Sequence, residues 1–289
     1  MELRHFILIV LVFTLELTIL KSFQSFKILK TEVKISKKID GLKLKTQGPN
    51  CWNGALIKSG INQSVRFVSR SEYLFWMKSP YCRELEANEK LQSGDLGSLF
   101  YNQNDLYHSF VYIDKEKVFS KNSPDSKFPY QYQKFEDMFF KESQSLAKKC
   151  WSNIIQNRRL KCDYKVMFHR CEPIEVNLFQ LEKDISKIDA KIKSLEEHVY
   201  AWISGDTKIT KELYSNTVVS LYRYLLELQN LEKTKLSDHR KFIINALEFR
   251  VLGLILSDIE ISLKIPSLFP IVNYAYQVQA NKYVNNKIF

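Results

Sequence analysis

Cys51 stands where a loop, Gly48-Pro49-Asn50, gives way to a segment able to form a short helix, Trp52-Asn53-Gly54-Ala55-Leu56. A thiol is a useful nucleophile as the thiolate, and both a helix N-terminus and a nearby imidazolium lower its pKa. His108 opens the run HSFVYI over residues 108–113, which has the aromatic and β-branched content of a strand. An imidazole acting as base needs a third polar group to fix its tautomer. The following run, KVFSKN over 117–122, offers Ser120 and Asn122. They are two apart and share one face of a strand with Val118. Asn122 is the preferred orienter because its carboxamide oxygen accepts firmly from a ring N–H; Ser120 is the second choice. The chemistry this set predicts is attack of a sulfur on a carbonyl carbon, with proton transfer through His108.

The surrounding elements have to bring these residues together. Asp40-Gly41 between the alternating runs Val33/Ile35 and Leu42/Leu44 predicts a lead-in hairpin. Residues 71–91 read as helix in two pieces interrupted at Pro80. Gly94-Asp95-Leu96 opens a strand, and with 108–113 and 117–122 it forms a three-strand antiparallel meander. Residues 128–140 are a linker running into a helix. Gly94-Asp95 is a strand-opening turn under any functional reading.

The second half has a different texture. Leu181, Ile185, Ile188, Ile192, Leu195 and Val199 form a heptad seam on one helix face. After a break at Ser204-Gly205-Asp206, Tyr214, Val218, Leu221, Leu225 and Leu228 repeat it. The two segments suit an antiparallel helical hairpin. A third helix is predicted over 238–264. Its VLGLIL run, apolar on every side, makes it the buried member of a three-helix unit. The seam serves internal packing or a protein partner. The fold class is therefore α+β, with a helix-plus-sheet domain over 23–140 and a helical domain over 141–289.

Residues 6–20, FILIVLVFTLELTIL, have the length of a signal-peptide core and fall short of a comfortable membrane span. Residues 1–22 are accordingly read as a signal peptide or N-terminal membrane anchor. Net charge is +11, and residues 21–45 hold eight lysines against Glu32 and Asp40. Such a segment is drawn to anionic surfaces, including lipid headgroups and cell-wall polymers. No RNP signature, zinc-finger spacing or basic heptad helix is present, which argues against a nucleic-acid partner. The five cysteines are 51, 82, 150, 162 and 171. Two disulfides among the last four would leave Cys51 free, with the pairing open. The absence of any C-x-x-C pair argues against zinc, and the mechanism calls for no cofactor.

The order of Cys51-Trp52-Asn53-Gly54-Ala55-Leu56, Gly94-Asp95-Leu96, His108-Ser109-Phe110-Val111-Tyr112-Ile113 and a polar residue on the next strand resembles the NlpC/P60 branch of papain-like cysteine peptidases. The likeness covers about residues 45–125. It implies an exported or envelope-anchored cysteine hydrolase that cuts amide bonds in peptidoglycan stem peptides. Cys51 would attack the carbonyl and His108 would carry the proton. Ser120 aligns with the family's third polar residue, and Asn122 is reminiscent of papain's asparagine. The chain departs from the family where Asn50 and Trp52 replace the usual Asp and Ser around the nucleophile. Gln47, or the Cys51 backbone N–H, would serve the oxyanion. Two alternatives stay open: a papain-like envelope scaffold without catalysis, and a lipid-directed acyl hydrolase or transferase of the same superfamily.

Overall fold

The computed structural model describes residues 49–284 except 63, 87, 102–104, 124–127, 158–163, 175–177, 181, 204–207, 234–235, 260–261 and 263. The predicted leader, the lysine-rich segment, the lead-in hairpin and Gln47 all lie outside the described residues. So does Cys162.

Six antiparallel strands form one sheet: β1 (Cys82–Glu84), β2 (Leu96–Tyr101), β3 (Asp105–Tyr112), β4 (Val118–Ser120), β5 (Gln131–Gln133) and β6 (Tyr164–Cys171). The spatial order is β1-β6-β2-β3-β4-β5. The meander of β2, β3 and β4 is the one the alternating pattern predicts. Two features depart from the sequence reading. The piece after Pro80, read as helix, is strand β1, because Cys82, Arg83 and Glu84 pair with Cys171, Arg170 and His169. The boundary placed at residue 140 is also wrong, since β6 returns from beyond it to lie between β1 and β2.

Both faces of the sheet are covered. On one side lie α1 (Cys51–Lys58) and α2 (Arg70–Met77). Here Ala55, Leu56 and Tyr73 meet Leu96, Val111 and Phe119. On the other side α3 (Lys141–Asn157) brings Ala147, Trp151 and Ile154 against Leu99, Phe110, Val118 and Phe168. The Trp151 ring stacks on Phe135 at 4.5 Å between centroids. Gly97 lies directly beneath the Phe110 ring, where any Cβ would collide with it.

The helical unit contains α4 (Lys183–Ile203), α5 (Lys211–Glu232), α6 (Asp238–Leu256) and α7 (Phe269–Val284). The heptad positions Ile185, Ile188, Ile192, Val199, Tyr214, Val218, Leu221, Leu225 and Leu228 are all buried. Helix α6 is buried at every residue from Ile243 to Ile255, the apolar run 251–255 together with the polar Asn245, Glu248 and Arg250. The tail that the sequence left unassigned supplies α7. This unit does not stand apart from the sheet unit. Phe75 of α2 stacks on Phe249 of α6 at 5.1 Å, and one apolar cluster runs from Ala55 to Ala275. No helix among the described residues is long and apolar enough to cross a membrane.

A disulfide joins Cys82 to Cys171 across the paired ends of β1 and β6, and Cys150 is also disulfide-bonded. Cys51 is a free thiol. The Cys82–Cys171 bridge closes a loop of sequence separation 89. Cross-linking over that span stabilises a fold by roughly 4 kcal/mol through loss of unfolded-state entropy. Replacing both cysteines by alanine is expected to lower unfolding free energy by about that amount, read by urea denaturation with the Cys150 bridge kept intact.

Candidate active site around Cys51

Helix α1 begins at Cys51 for a local reason. Asn50, extended at φ −118°, caps it with a side-chain oxygen that accepts from the Asn53 N–H at 3.1 Å. The Asn50 amide donates in turn to the Val68 carbonyl at 2.7 Å, which fixes the cap to the following loop. The first N–H groups of a helix have no intrahelical acceptor. Here the backbone amides of Cys51 and Trp52 favour the anionic form of the Cys51 sulfur. Gly54 lets α1 approach closely, since a Cβ there would lie 3.1 Å from the Tyr130 ring. The Tyr130 hydroxyl donates to the Asn53 side-chain oxygen at 2.5 Å.

The thiol packs against Ser109 of β3, whose backbone N–H and hydroxyl both favour the thiolate. Burial opposes them and wins: the Cys51 thiol is pushed up to about 11, although the residue as a whole is only half-buried. The sequence predicts the opposite shift, because it shows the helix terminus but not the desolvation. The Ser109 hydroxyl is buried and completes no hydrogen bond of normal geometry, yet it is near enough to the Tyr73 hydroxyl to act on it as well. Tyr73 pairs with Ser98 at 2.7 Å and is held above its ordinary range by burial. Ser98, Ser109 and Tyr73 thus form a polar floor near the sulfur.

His108 follows an irregularity in the β2–β3 register, where Leu99 pairs with His108 but Phe100 pairs with Leu106. Its Nε2 lies 2.7 Å from Ser120 Oγ. Ser120 Oγ also donates to the Ser109 carbonyl at 3.2 Å. A hydroxyl has one proton, so with that proton on the carbonyl the serine oxygen accepts from His108 Nε2–H. The chain of bonds therefore protonates Nε2 and leaves Nδ1 with its lone pair as the basic nitrogen. Burial pushes His108 down to about 4, so the imidazole is neutral at physiological pH.

The predicted residues separate cleanly. His108 and Ser120 are joined to each other and, through Ser120, to the Ser109 carbonyl, on the strand face shared with Phe110 and Val118. The Cys51 thiol meets Ser109 from the α1 side instead, and among the described residues no hydrogen bond joins Cys51 to His108. Asn122 does not join them. It forms a reciprocal amide pair with Gln133, at 2.9 Å and 2.5 Å, and donates to the Asp137 carbonyl. The reason is that β4 ends at Ser120. The shared-face rule holds along a strand and fails once the chain leaves it. Asp95 is structural: buried, it receives both Nε and Nη2 of Arg170 at 2.8 Å. His169, pushed down to about 4 by burial, sits on β6 opposite Leu96, with its buried Nδ1 making no hydrogen bond.

Sequence reasoning missed Ser109, Tyr73 and Asn50. Asn50 had a readable signal, since Asn is a strong N-cap residue just ahead of a helix. Tyr73 had none, because it reaches Ser98 across 25 residues. Among the described residues no group of three His, Cys, Asp or Glu side chains is placed to hold a metal ion.

The architecture defines the chain as an α+β protein, a six-stranded antiparallel sheet sandwiched by helices and joined to a helical unit. No family model, curated protein or solved structure matches it.

Proposed function

We propose that the protein is a cysteine hydrolase of amide bonds, with Cys51 as nucleophile, His108 as base and Ser120 as the residue that orients the imidazole. The observation that supports this reading is the chain His108 Nε2–Ser120 Oγ–Ser109 O, which leaves His108 Nδ1 unprotonated, together with the influence of the same Ser109 on the Cys51 thiol. With a thiol near 11 and an imidazole near 4, the resting pair is neutral. His108 then takes the thiol proton as sulfur attacks and returns it to the leaving amine, giving a Cys51 thioester. Water, deprotonated by His108, releases the acid from the thioester, and the proton goes back to the sulfur. The helix-terminal N–H groups of Cys51 and Trp52, which favour the thiolate, would serve as donors for the oxyanion.

The substrate class is a peptide amide, and peptidoglycan stem peptides come first on the strength of the NlpC/P60 resemblance. An exported setting agrees with the Cys82–Cys171 bridge and the bonded Cys150, since disulfides persist in oxidising compartments. Residues 21–45 supply the lysine-rich stretch that would hold the enzyme near an anionic envelope.

The test is release of new amino groups from purified sacculi. Wild type is expected to release them, Cys51→Ala to release none, and Ser120→Ala to lose on the order of 10²-fold in rate by freeing the imidazole tautomer. Asn122→Ala should stay within about twofold of wild type. A second reading, a papain-like envelope scaffold without catalysis, is favoured by the strongly protonated thiol. It wins if well-folded wild type and Cys51→Ala are equally inert.

A further inference from the structure

Helix α7 shows solvent a face without charge. Of its 16 residues only Lys282 is charged. Charged residues make up 26% of the chain, so about four would be expected over that length. Lys282 is itself buried, donating to Asn245 Oδ1 at 2.5 Å and paired with Glu248. The outer face of α7 is thus neutral on a chain of net charge +11. It presents two aromatic rings instead, Phe269 at 55% exposure and Tyr276 at 58%. Exposed apolar side chains standing singly are ordinary on protein surfaces. These two stand in register.

Phe269 and Tyr276 are seven residues apart. Seven helical steps fall about 20° short of two full turns, so both rings leave α7 on one side, about 10.5 Å apart along its axis. Asn273 lies between them and Gln277 flanks Tyr276, both exposed. Among the described residues none of these four side chains has a hydrogen-bond or ring partner within the chain. The aliphatic residues turn the other way: Val272 and Ala275 are buried, and Ile271 and Val278 pack against the core. The centre of a protein interface is a continuous apolar patch, whereas here the position between the rings is an amide. Flat rings alternating with amides suit a sugar chain. The C–H groups on one face of a pyranose pack on an aromatic ring, and its edge hydroxyls pair with carboxamides, which both donate and accept. In an extended β-linked strand successive sugars are flipped, so every second one turns the same face to a surface. Two rings nearly two helical turns apart match that repeat.

We propose that the outer face of α7 binds a neutral, extended glycan strand, with Phe269 and Tyr276 stacking on alternate sugars and Asn273 and Gln277 bonding to the groups between them. The missing charge is the complement of a partner that has none. The choice of polymer rests on the proposed envelope substrate, whose glycan strands α7 would hold, and it does not depend on the chemistry of Cys51.

The probe is the hexasaccharide of N-acetylglucosamine, titrated calorimetrically into the full chain. It carries no peptide, so binding is read apart from hydrolysis. Saturable binding is expected, and the disaccharide, too short to reach both rings, should bind about tenfold more weakly. Phe269→Ala and Tyr276→Ala should each weaken the hexasaccharide by about tenfold, the worth of one aromatic stacking contact, while Tyr276→Trp should keep it. Both positions are exposed, so these variants should fold. Unchanged affinity in the Phe269→Ala, Tyr276→Ala double variant overturns the proposal, as does a wild type that binds no hexasaccharide. A wild type that sediments as a dimer and a double variant that sediments as a monomer also overturn it, assigning the face to a second copy. Glycan binding with the ring penalties, in a protein that releases no amino groups from sacculi, supports the surface and overturns only the hydrolase. Release of amino groups without glycan binding does the reverse.

Discussion

Alkylation of Cys51 by iodoacetamide is expected to be slow at pH 7 and to quicken about tenfold per pH unit until about pH 11. The reactive species is the thiolate. With the thiol pushed up to about 11 by burial, roughly one molecule in 10⁴ carries it at pH 7. The sign follows from desolvation, which penalises the charged form of an acid and so raises its pKa. The favourable N–H groups of Ser109, Trp52 and Cys51 reduce that penalty without reversing it. His108, pushed down to about 4, carries no positive charge at neutral pH with which to ionise the sulfur. His108→Ala should therefore leave the alkylation profile nearly unchanged while abolishing amide hydrolysis. Hydrolysis itself should fall only below about pH 4 to 5, as the imidazole takes up a proton and ceases to be a base. A labelling rate already on its plateau at pH 5 would mean a resting thiolate–imidazolium pair, and the neutral-pair mechanism would be wrong.

The divergence between this profile and the one the sequence predicts has a physical cause. A helix terminus is a local feature, written into Pro49, Asn50 and the residues after Cys51. Desolvation belongs to everything packed around the sulfur, including Ser109 from a strand 58 positions away, and local sequence does not carry it. The same split runs through the fold. The β2–β3–β4 meander and the two heptad helices were legible because their patterns repeat over neighbouring residues. Strand β6 was not, because its identity depends on pairing with both Leu96–Tyr101 and Cys82–Glu84, which are distant in sequence. Recognising β6 would also have given the Cys82–Cys171 bridge, whose two residues are register partners. The choice between Ser120 and Asn122 turned on where a three-residue strand stops, a matter of one or two positions that alternation does not fix.

The heptad reading of α4 was correct about its apolar seam and silent about the charges beside it. Asp189 and Glu196 are one heptad apart, yet Glu196 is almost fully buried. It accepts from Arg250 Nε at 3.2 Å and Nη2 at 2.8 Å, and from Arg66 Nη1 at 3.3 Å. Arg250 also donates to Asp189 at 2.6 Å, and Arg66 is paired with Glu72. The cluster ties the loop after α1, helix α2, helix α4 and helix α6 into one buried network of two cations and three anions. Its charge balance makes the variants unequal. Arg250→Met leaves Arg66 alone against Glu72, Glu196 and Asp189, and stranding buried charge costs about 3–5 kcal/mol. Glu196→Gln leaves two matched pairs, Arg66–Glu72 and Arg250–Asp189, and should cost about 1–2 kcal/mol, the loss of charge from hydrogen bonds that the amide partly keeps. Because removing both halves of a buried pair removes both desolvation penalties, Arg250→Met combined with Glu196→Leu should recover most of the loss of Arg250→Met alone. Urea denaturation of the three proteins checks this order. Equal destabilisation by Arg250→Met and Glu196→Gln would mean that geometry rather than charge balance governs the cluster, and a double variant no better than the single would show that the arginine's packing, not its charge, holds the two units together.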